Sequence, residues 1–370
     1  MNFDFAEEMN LLRQQASRML AAQCTPTVVR KALDESGGFD RKLWNAVAQM
    51  GWAGAAVPER FGGSGLGYEG LCVLAEELGR VLAPVPFASS VYLATEAVLS
   101  CGSEVQKEAW LPRLAGGDIV GTFALAEGLG NPRPQAVRAR VSGGRLSGEK
   151  WPVSDGEQAD VVIVAAVDDA GAPALYLVET TAGGVTRGTL QMIDPSRPQA
   201  KLVFDCAPAE RLGGECGWAA IGRLLDKAAV LMAFEQVGGA SACLEMATAY
   251  AKERVAFGRP IGSFQAIKHK LADIYISTEL ARSNAYYGAW ALSTDAPELA
   301  LAAAAARVSA TEAFRHAARE NIQTHGGMGF TWELDCHLYY RRASTLAMQL
   351  GSVSYWKERV VTHWTDSAIE

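Results

Sequence analysis

The sequence predicts a mainly α-helical protein with a central β-domain. Residues 1–120 read as an N-terminal helical domain, 121–217 as a middle antiparallel, barrel-like β-domain, and 218–370 as a C-terminal four-helix bundle. Two changes of texture carry this reading. Helical spacing of apolar residues gives way at about Gly121 to β-branched runs broken by glycine turns, and long helical periodicity resumes at Trp218. The length agrees: 370 residues exceed a typical domain of about 100–200.

In the first zone Leu71, Leu74, Ala75 and Leu78 share a helical face, and Gly79 reads as the stop. The stretch Pro58 to Gly65 is a loop by composition, with Glu59 a loop or capping residue. In the middle zone Val137–Val141 reads as a strand and Gly143-Gly144 as its turn. Val161–Val167 follows, Asp168–Gly171 turns it, Leu175–Val178 returns, and Lys201–Asp205 alternates again. No helix-length segment separates these strands, so the sheet is expected to be mostly antiparallel. In the last zone Ile267, Leu271, Ile274 and Thr278 mark one face of a long helix. Ala296–Gln323 and His337–Trp364 give two more, which with the helix from Trp218 make a bundle.

Composition excludes several classes. Hydrophobic residues at 49% and charged residues at 20% rule out disorder. With 34 Lys+Arg against 41 Asp+Glu and no basic run, a nucleic-acid partner is not expected. Seven cysteines without a C-x-x-C argue against a disulfide framework or a metal site and suit a reducing compartment. Met1 to Met9 carries Asp4, Glu7 and Glu8 instead of a basic start, and the longest apolar run, Leu299–Ala306, is too short to span a bilayer. The expectation is a cytoplasmic protein.

Three segments together resemble one family. Glu253-Arg254-Val255-Ala256-Phe257-Gly258, then Ile261, Phe264 to His269 and Leu271-Ala272-Asp273, look like the flavin-adenine segment of acyl-CoA dehydrogenases. Gln323 to Phe330 resembles that family's Gln-x-x-Gly-Gly-x-Gly-Phe loop, and Trp44 to Gly79 its N-terminal helical domain. The likeness spans nearly the whole chain in order. It implies the acyl-CoA dehydrogenase-like fold, FAD as cofactor, α,β-dehydrogenation of an acyl-CoA thioester, and an electron-transfer flavoprotein as acceptor. It also implies an oligomer in which each bundle holds the adenosine end of a neighbour's FAD.

The residue types suit that role. Arg254 offers a planar cation for a pyrophosphate. Gly326 and Gly327 lack a Cβ, so backbone N–H groups can approach phosphates. Phe257 and Ile261 would floor an adenine, with Gln265 bonding near it. By resemblance Gly258, Gln323, Ser154 and Ser352 complete the cofactor-binding set. His269 and His325 read as structural, having no second ligand at metal spacing.

The likeness fails where the chemistry is done. The family's base is a glutamate in one of two places; here those positions hold Leu350 and Ala228, and the arginine that follows the second is Ala229. Neither side chain accepts a proton, and general-base catalysis contributes about 10²–10⁴ in rate. The nearest carboxylates are Asp226, facing away from Ala228 on a helix, Glu235, about 10 Å along the same face, and Glu333 in a loop. On the flavin-ring side, Leu125 to Asn131 stands where the family has Val-Thr-Glu-Pro-Gly-Ala-Gly-Ser, so Ala126 lacks the hydroxyl. Lys150-Trp151-Pro152-Val153-Ser154 replaces Lys-x-Trp-Ile-Thr, with Pro152 in the tryptophan's slot.

An intact adenosine side with an eroded ring and base side predicts a subunit without its own base, resembling the non-catalytic subunits of bacterial heteromeric acyl-CoA dehydrogenases that degrade sterol side chains. A self-sufficient dehydrogenase with a displaced base, a flavin-dependent monooxygenase of the same fold, and a homologue without flavin chemistry are the competing readings. A homo-oligomer is the alternative assembly.

Overall fold

The computed structural model describes residues 7–34 and 39–367; Met1 to Ala6 of the N-terminal reading lie outside them. Helices α1 (Glu7–Gln23), α2 (Pro26–Asp34), α3 (Arg41–Gln49) and α4 (Gly67–Arg80) come first. A buried π-helical segment, Ala88–Thr95, runs into α5 (Glu96–Cys101), and α6 (Glu104–Ala115) follows. The sheet strands are β1 (Gly121–Ala124), β2 (Arg140–Ser142), β3 (Arg145–Ser154), β4 (Val161–Val167), β5 (Pro173–Glu179), β6 (Val185–Leu190), β7 (Gln199–Pro208) and β8 (Glu210–Arg211). Then come α7 (Trp218–Glu253), the small hairpin β9 (Val255–Ala256) and β10 (Arg259–Pro260), α8 (Gln265–Ser293), α9 (Leu299–His325), α10 (Cys336–Leu346) and α11 (Val353–Ser367).

The chain divides into two compact units that cut across the three textural zones. One is Met1–Arg30, Cys72–Ala83 and Ala229–Glu370; the other is Lys31–Leu71 and Pro84–Ala228.

The second unit is built on the sheet. Its strand order is β6-β7-β3-β2-β4-β5-β8, with β1 beside β4. The path has two ends, so the sheet is open where a barrel-like closure was expected. Most pairs are antiparallel, but β1 and β2 both run parallel to β4. Residues Val161 to Val167 are buried throughout, because β4 is central and covered on both faces. The strand expected over Val137–Val141 begins only at Arg140. The Glu127 carboxylate accepts the backbone N–H of Arg138 (2.8 and 3.0 Å) and of Ala139 (2.9 Å), so those donors serve a side chain instead of a ladder. Gly143 and Gly144, at φ 52° and 72°, make the expected two-residue hairpin turn.

The first unit is the bundle. From Ile274 onward the α8 face marked by Ile274 and Thr278 is buried, continuing through Ala281, Ala285 and Leu292. Gly79 does not stop α4. A Cβ on it would lie 2.0 Å from the Glu235 carbonyl oxygen, and one on Gly238 would lie 1.9 Å from that of Glu76, so the pair lets α4 and α7 cross backbone to backbone. Beside the crossing the buried Glu76 carboxylate accepts from Arg13 (2.6 Å) and Arg282. Burial alone would raise its pKa, but Arg282 and Arg13 outweigh this and hold the carboxyl below its usual range.

The helix expected over His337–Trp364 is two helices. Arg307 on α9 donates to the carbonyl oxygens of Leu346 and of Gln349 (2.9 Å), which ends α10; Ser352 Oγ then accepts from Tyr355 N (3.2 Å) and caps α11.

Candidate functional site

In the bundle unit the flavin-adenine segment leaves α7 as a tight hairpin. Arg254 N donates to Tyr250 O and Ile261 N donates to Arg254 O, both 2.8 Å, so the hairpin is tied across its base. Ala256 pairs with Arg259 and Val255 with Pro260. The turn between them is Phe257-Gly258, at φ 53° and 79°. Positive φ at both central residues is the type I′ pattern, which glycine fills easily and phenylalanine does not. Phe257 is 95% exposed. Among the described residues its ring partner is Phe264, an edge contact with ring centroids 6.2 Å apart. A strained turn that lifts an aromatic ring into solvent suits a ring meant for another molecule.

Two cations flank this turn. Arg254 is exposed and, among the described residues, has no ion-pair partner. Arg259, which sequence reasoning missed, lies 4.1 Å above the Phe264 ring; its signal was a second arginine in phase with the first across the hairpin. Ile261 is half-buried in a short 3-10 turn, and Gln265, exposed, opens α8.

The glycine loop follows α9, whose last turn carries Gln323, exposed. Gly326 has φ 61° and ψ −138°, a conformation open to glycine alone. A Cβ on Gly326 or Gly327 would meet nothing within 4 Å. The protein's own packing therefore does not demand a glycine at 327; the Gly326 N–H is taken by the Gln323 carbonyl, and the open space beside Gly327 is what would let a phosphate approach the backbone. His325 is structural as expected: it stacks on Tyr250 at 4.2 Å and its Nδ1 bonds Asn321 O at 2.8 Å. An unpaired cation, an aromatic turn and an open Gly-Gly loop thus fit the pyrophosphate and adenine of a dinucleotide.

The base positions are apolar in place as well as in name. Leu350 is half-buried in the turn between α10 and α11, at φ 61°. Ala228, in the other unit, is fully buried on α7. Glu235 is buried with Arg342, Oε1 to Nη1 3.6 Å, and Glu333 is exposed in the loop before α10. Asp226 is buried, next to Lys227, whose ammonium holds Glu96 (2.6 Å).

In the sheet unit Ser154 ends β3, and its hydroxyl is engaged by Gln199, whose Nε2 donates at 2.9 Å. Pro152 falls in a bulge where the β3–β7 register shifts between Lys150 and Val153. Lys150, wholly buried, donates to Glu127 Oε1 (2.7 Å) and Leu125 O (3.1 Å). Burial pushes its ammonium down to about 8. Burial also opposes the charge on Glu127, but the Ala139 N–H and Lys150 more than offset it and hold that carboxyl below its usual range. This pairing was invisible in the sequence; a lysine inside an otherwise alternating strand was its signal. Leu129, beyond it, is 92% exposed.

Comparison with known proteins gives the family. Residues 6–118 match the acyl-CoA dehydrogenase N-terminal domain and 215–360 the C-terminal domain. The chain is 34% identical over 353 residues to acyl-CoA dehydrogenase IpdE2 of Mycobacterium tuberculosis, covering 94% of each. It superposes on a chain of the ChsE4–ChsE5 complex from Mycobacterium tuberculosis with a TM-score of 0.90 at 29% identity, covering 99% of both. Against a variant of the Tcur3481–Tcur3483 steroid ACAD the score is 0.88 at 31% identity, covering 98% of this chain and 99% of that one. The fold is that of a flavoprotein dehydrogenase. The chain belongs to the acyl-CoA dehydrogenase family, whose cofactor is FAD. Among the described residues no helix is long and apolar enough to cross a membrane.

Proposed function

We propose that this chain is the subunit of a cytoplasmic, heteromeric FAD-dependent acyl-CoA dehydrogenase that lacks its own base and lends its adenosine-binding groups to a catalytic partner. The observation that carries the reading is the contrast between the two halves of the site. Leu350 and Ala228 cannot take a proton, whereas Arg254, Phe257, Gly326 and Gly327 stand uncovered on the chain's own surface. FAD, when bound, accepts the hydride that leaves the acyl β-carbon. The work of this chain is binding. Arg254 would neutralise a pyrophosphate, the side-chain-free backbone at Gly326 and Gly327 would let its oxygens come close, and Phe257 with Gly258 and Ile261 would cover the adenine, with Gln265 and Gln323 at its polar edge. Ser154 and Ser352 are the remaining hydroxyls assigned to the cofactor.

Two relatives support a two-protein assembly, since their names join distinct chains. The three-domain division at about 120 and 217 and an electron-transfer flavoprotein as acceptor belong to the same reading. The α-proton of a thioester is weakly acidic, and a water in an apolar slot is a poor base, because hydroxide is scarce and costly to desolvate.

The test is to purify the chain alone and with a catalytic acyl-CoA dehydrogenase chain, count flavin, and add a saturated acyl-CoA. The lone chain supplied with FAD should not bleach flavin; the pair should, and mutating the partner's glutamate should abolish it. Robust single-chain dehydrogenation that disappears on changing Asp226, Glu235 or Glu333 would falsify the reading and favour a displaced base.

A further inference from the structure

We propose that Arg307 is a positioning residue: it clamps the turn 347–352 so that residue 350 is held in the left-handed conformation and Gly351-Ser352 are presented to the cofactor. The role in the site rests on the functional reading above; the clamp itself does not.

Arg307 is the one charged residue of the Ala-rich run Leu299–Arg307, and it is buried. Its guanidinium is committed in two directions. Nη1 donates to Gln236 Oε1 on α7 and to Thr311 Oγ1 (2.9 Å) on its own helix. Nη2 donates to Leu346 O and to Gln349 O (2.9 Å). The first pair fixes the fork; the second seizes the last carbonyl of α10 and the carbonyl just before Leu350. Residues 347 and 348 still follow the helix, with Ala347 N to Ala343 O and Met348 N to Thr345 O, both 3.1 Å. The chain then turns through Leu350 at φ 61° and Gly351 at φ 105° into the Ser352 cap.

A leucine disfavours that conformation, and no glycine or asparagine stands there to ease it. The turn is held from both ends instead, by Arg307 on one side and the cap of α11 on the other. Strain kept in place by a buried cation points to a shape worth keeping, although the side chain at 350 has no acid–base chemistry. Arg307 is roughly 28 Å along α9 from the Gly326 loop, so its effect on flavin would be separate from that of the phosphate groups.

The experiment uses Arg307→Met and Arg307→Lys. Methionine fills the space but abandons both carbonyls; lysine keeps the charge as a single point and can hold one of them. The first readout is nicking of the lone chain by chymotrypsin after Met348 or Leu350. The second is the rate of flavin loss from the assembly with its partner, followed by absorbance after gel filtration. We expect Arg307→Met to be nicked at least tenfold faster at those bonds and to lose flavin several-fold faster, with Arg307→Lys intermediate in both and far-UV circular dichroism unchanged. If Arg307→Met does not accumulate folded, Arg307→Lys carries both readouts. Unchanged nicking overturns the clamp. Faster nicking with unchanged flavin loss overturns the role in the site and leaves a helix connector. An assembly whose wild type holds no flavin removes the reading above and the site role with it, while nicking still decides the clamp.

Discussion

Replacing Lys150 with Met tests the buried pair that joins β3 to the segment after β1. The variant keeps the side chain's length and removes its charge. Glu127 then loses its ammonium partner at 2.7 Å and keeps the N–H groups of Arg138 and Ala139. Removing one member of a buried ion pair costs about 3–5 kcal/mol, and the surviving N–H donors put this case at the low end, about 3 kcal/mol. The pH dependence sharpens the test. Burial lowers Lys150 from 10.5 to about 8, so between those values the unfolded chain binds the extra proton and the wild type gains stability as pH rises. Below about 8 both states are protonated and the penalty is constant. Each unit is worth about 1.36 kcal/mol, so the wild type should gain up to about 3 kcal/mol across this window, a gain absent in Lys150→Met. Urea unfolding followed by circular dichroism at pH 7, 8, 9 and 10 measures both effects. A variant as stable as wild type at pH 7, or a difference that does not widen above pH 8, would refute the assigned burial and pairing.

Other outcomes follow from the same geometry. Arg254→Ala should speed flavin loss from the assembly, since a charge-assisted bond contributes about 1.5–3 kcal/mol; full occupancy after dilution would remove Arg254 from the pyrophosphate. Gly238→Ala should destabilise the bundle by about 3 kcal/mol, the upper end for overpacking, because its Cβ would sit 1.9 Å from Glu76 O; an unchanged urea midpoint would show that α4 and α7 do not cross so closely. Leu350→Ala should leave most of the assembly's turnover, measured with an artificial electron acceptor, whereas an activity collapse would give Leu350 a role it is denied here. Light scattering of the chain with its partner should report an oligomer, and a persistent monomer at micromolar concentration would sink the shared site.

Much of this was legible in the residues because local chemistry repeats. The Val161–Val167 strand, the Gly143-Gly144 turn and the long helix from Gln265 depend on neighbours a few positions away, and they fell where periodicity put them. The misses depend on distant partners. The strand start at Arg140 moved because Glu127 captures two backbone donors. The last helix broke because Arg307, some forty positions earlier, takes its carbonyls. Gly79 is explained by Glu235, far along the chain. The candidate site divides the same way. Arg254, Phe257 and the Gly326 loop form contiguous motifs and can be read in order, while the buried charges Lys150, Arg307 and Glu76 acquire meaning only from what surrounds them.

The solvent-borne Phe257 bears on how the protein must be made. Phe330, Ile276 and Leu280 of the same unit are also exposed, and apolar side chains in such number are sticky in water. On the proposed heteromeric reading, a chain synthesised ahead of its partner would be a ready client for chaperones and proteases, and its abundance in the cell should track the supply of that partner more closely than its own transcript. If the proposed partner exists, matched production of the two chains, from adjacent genes or a shared message, is the arrangement this surface favours.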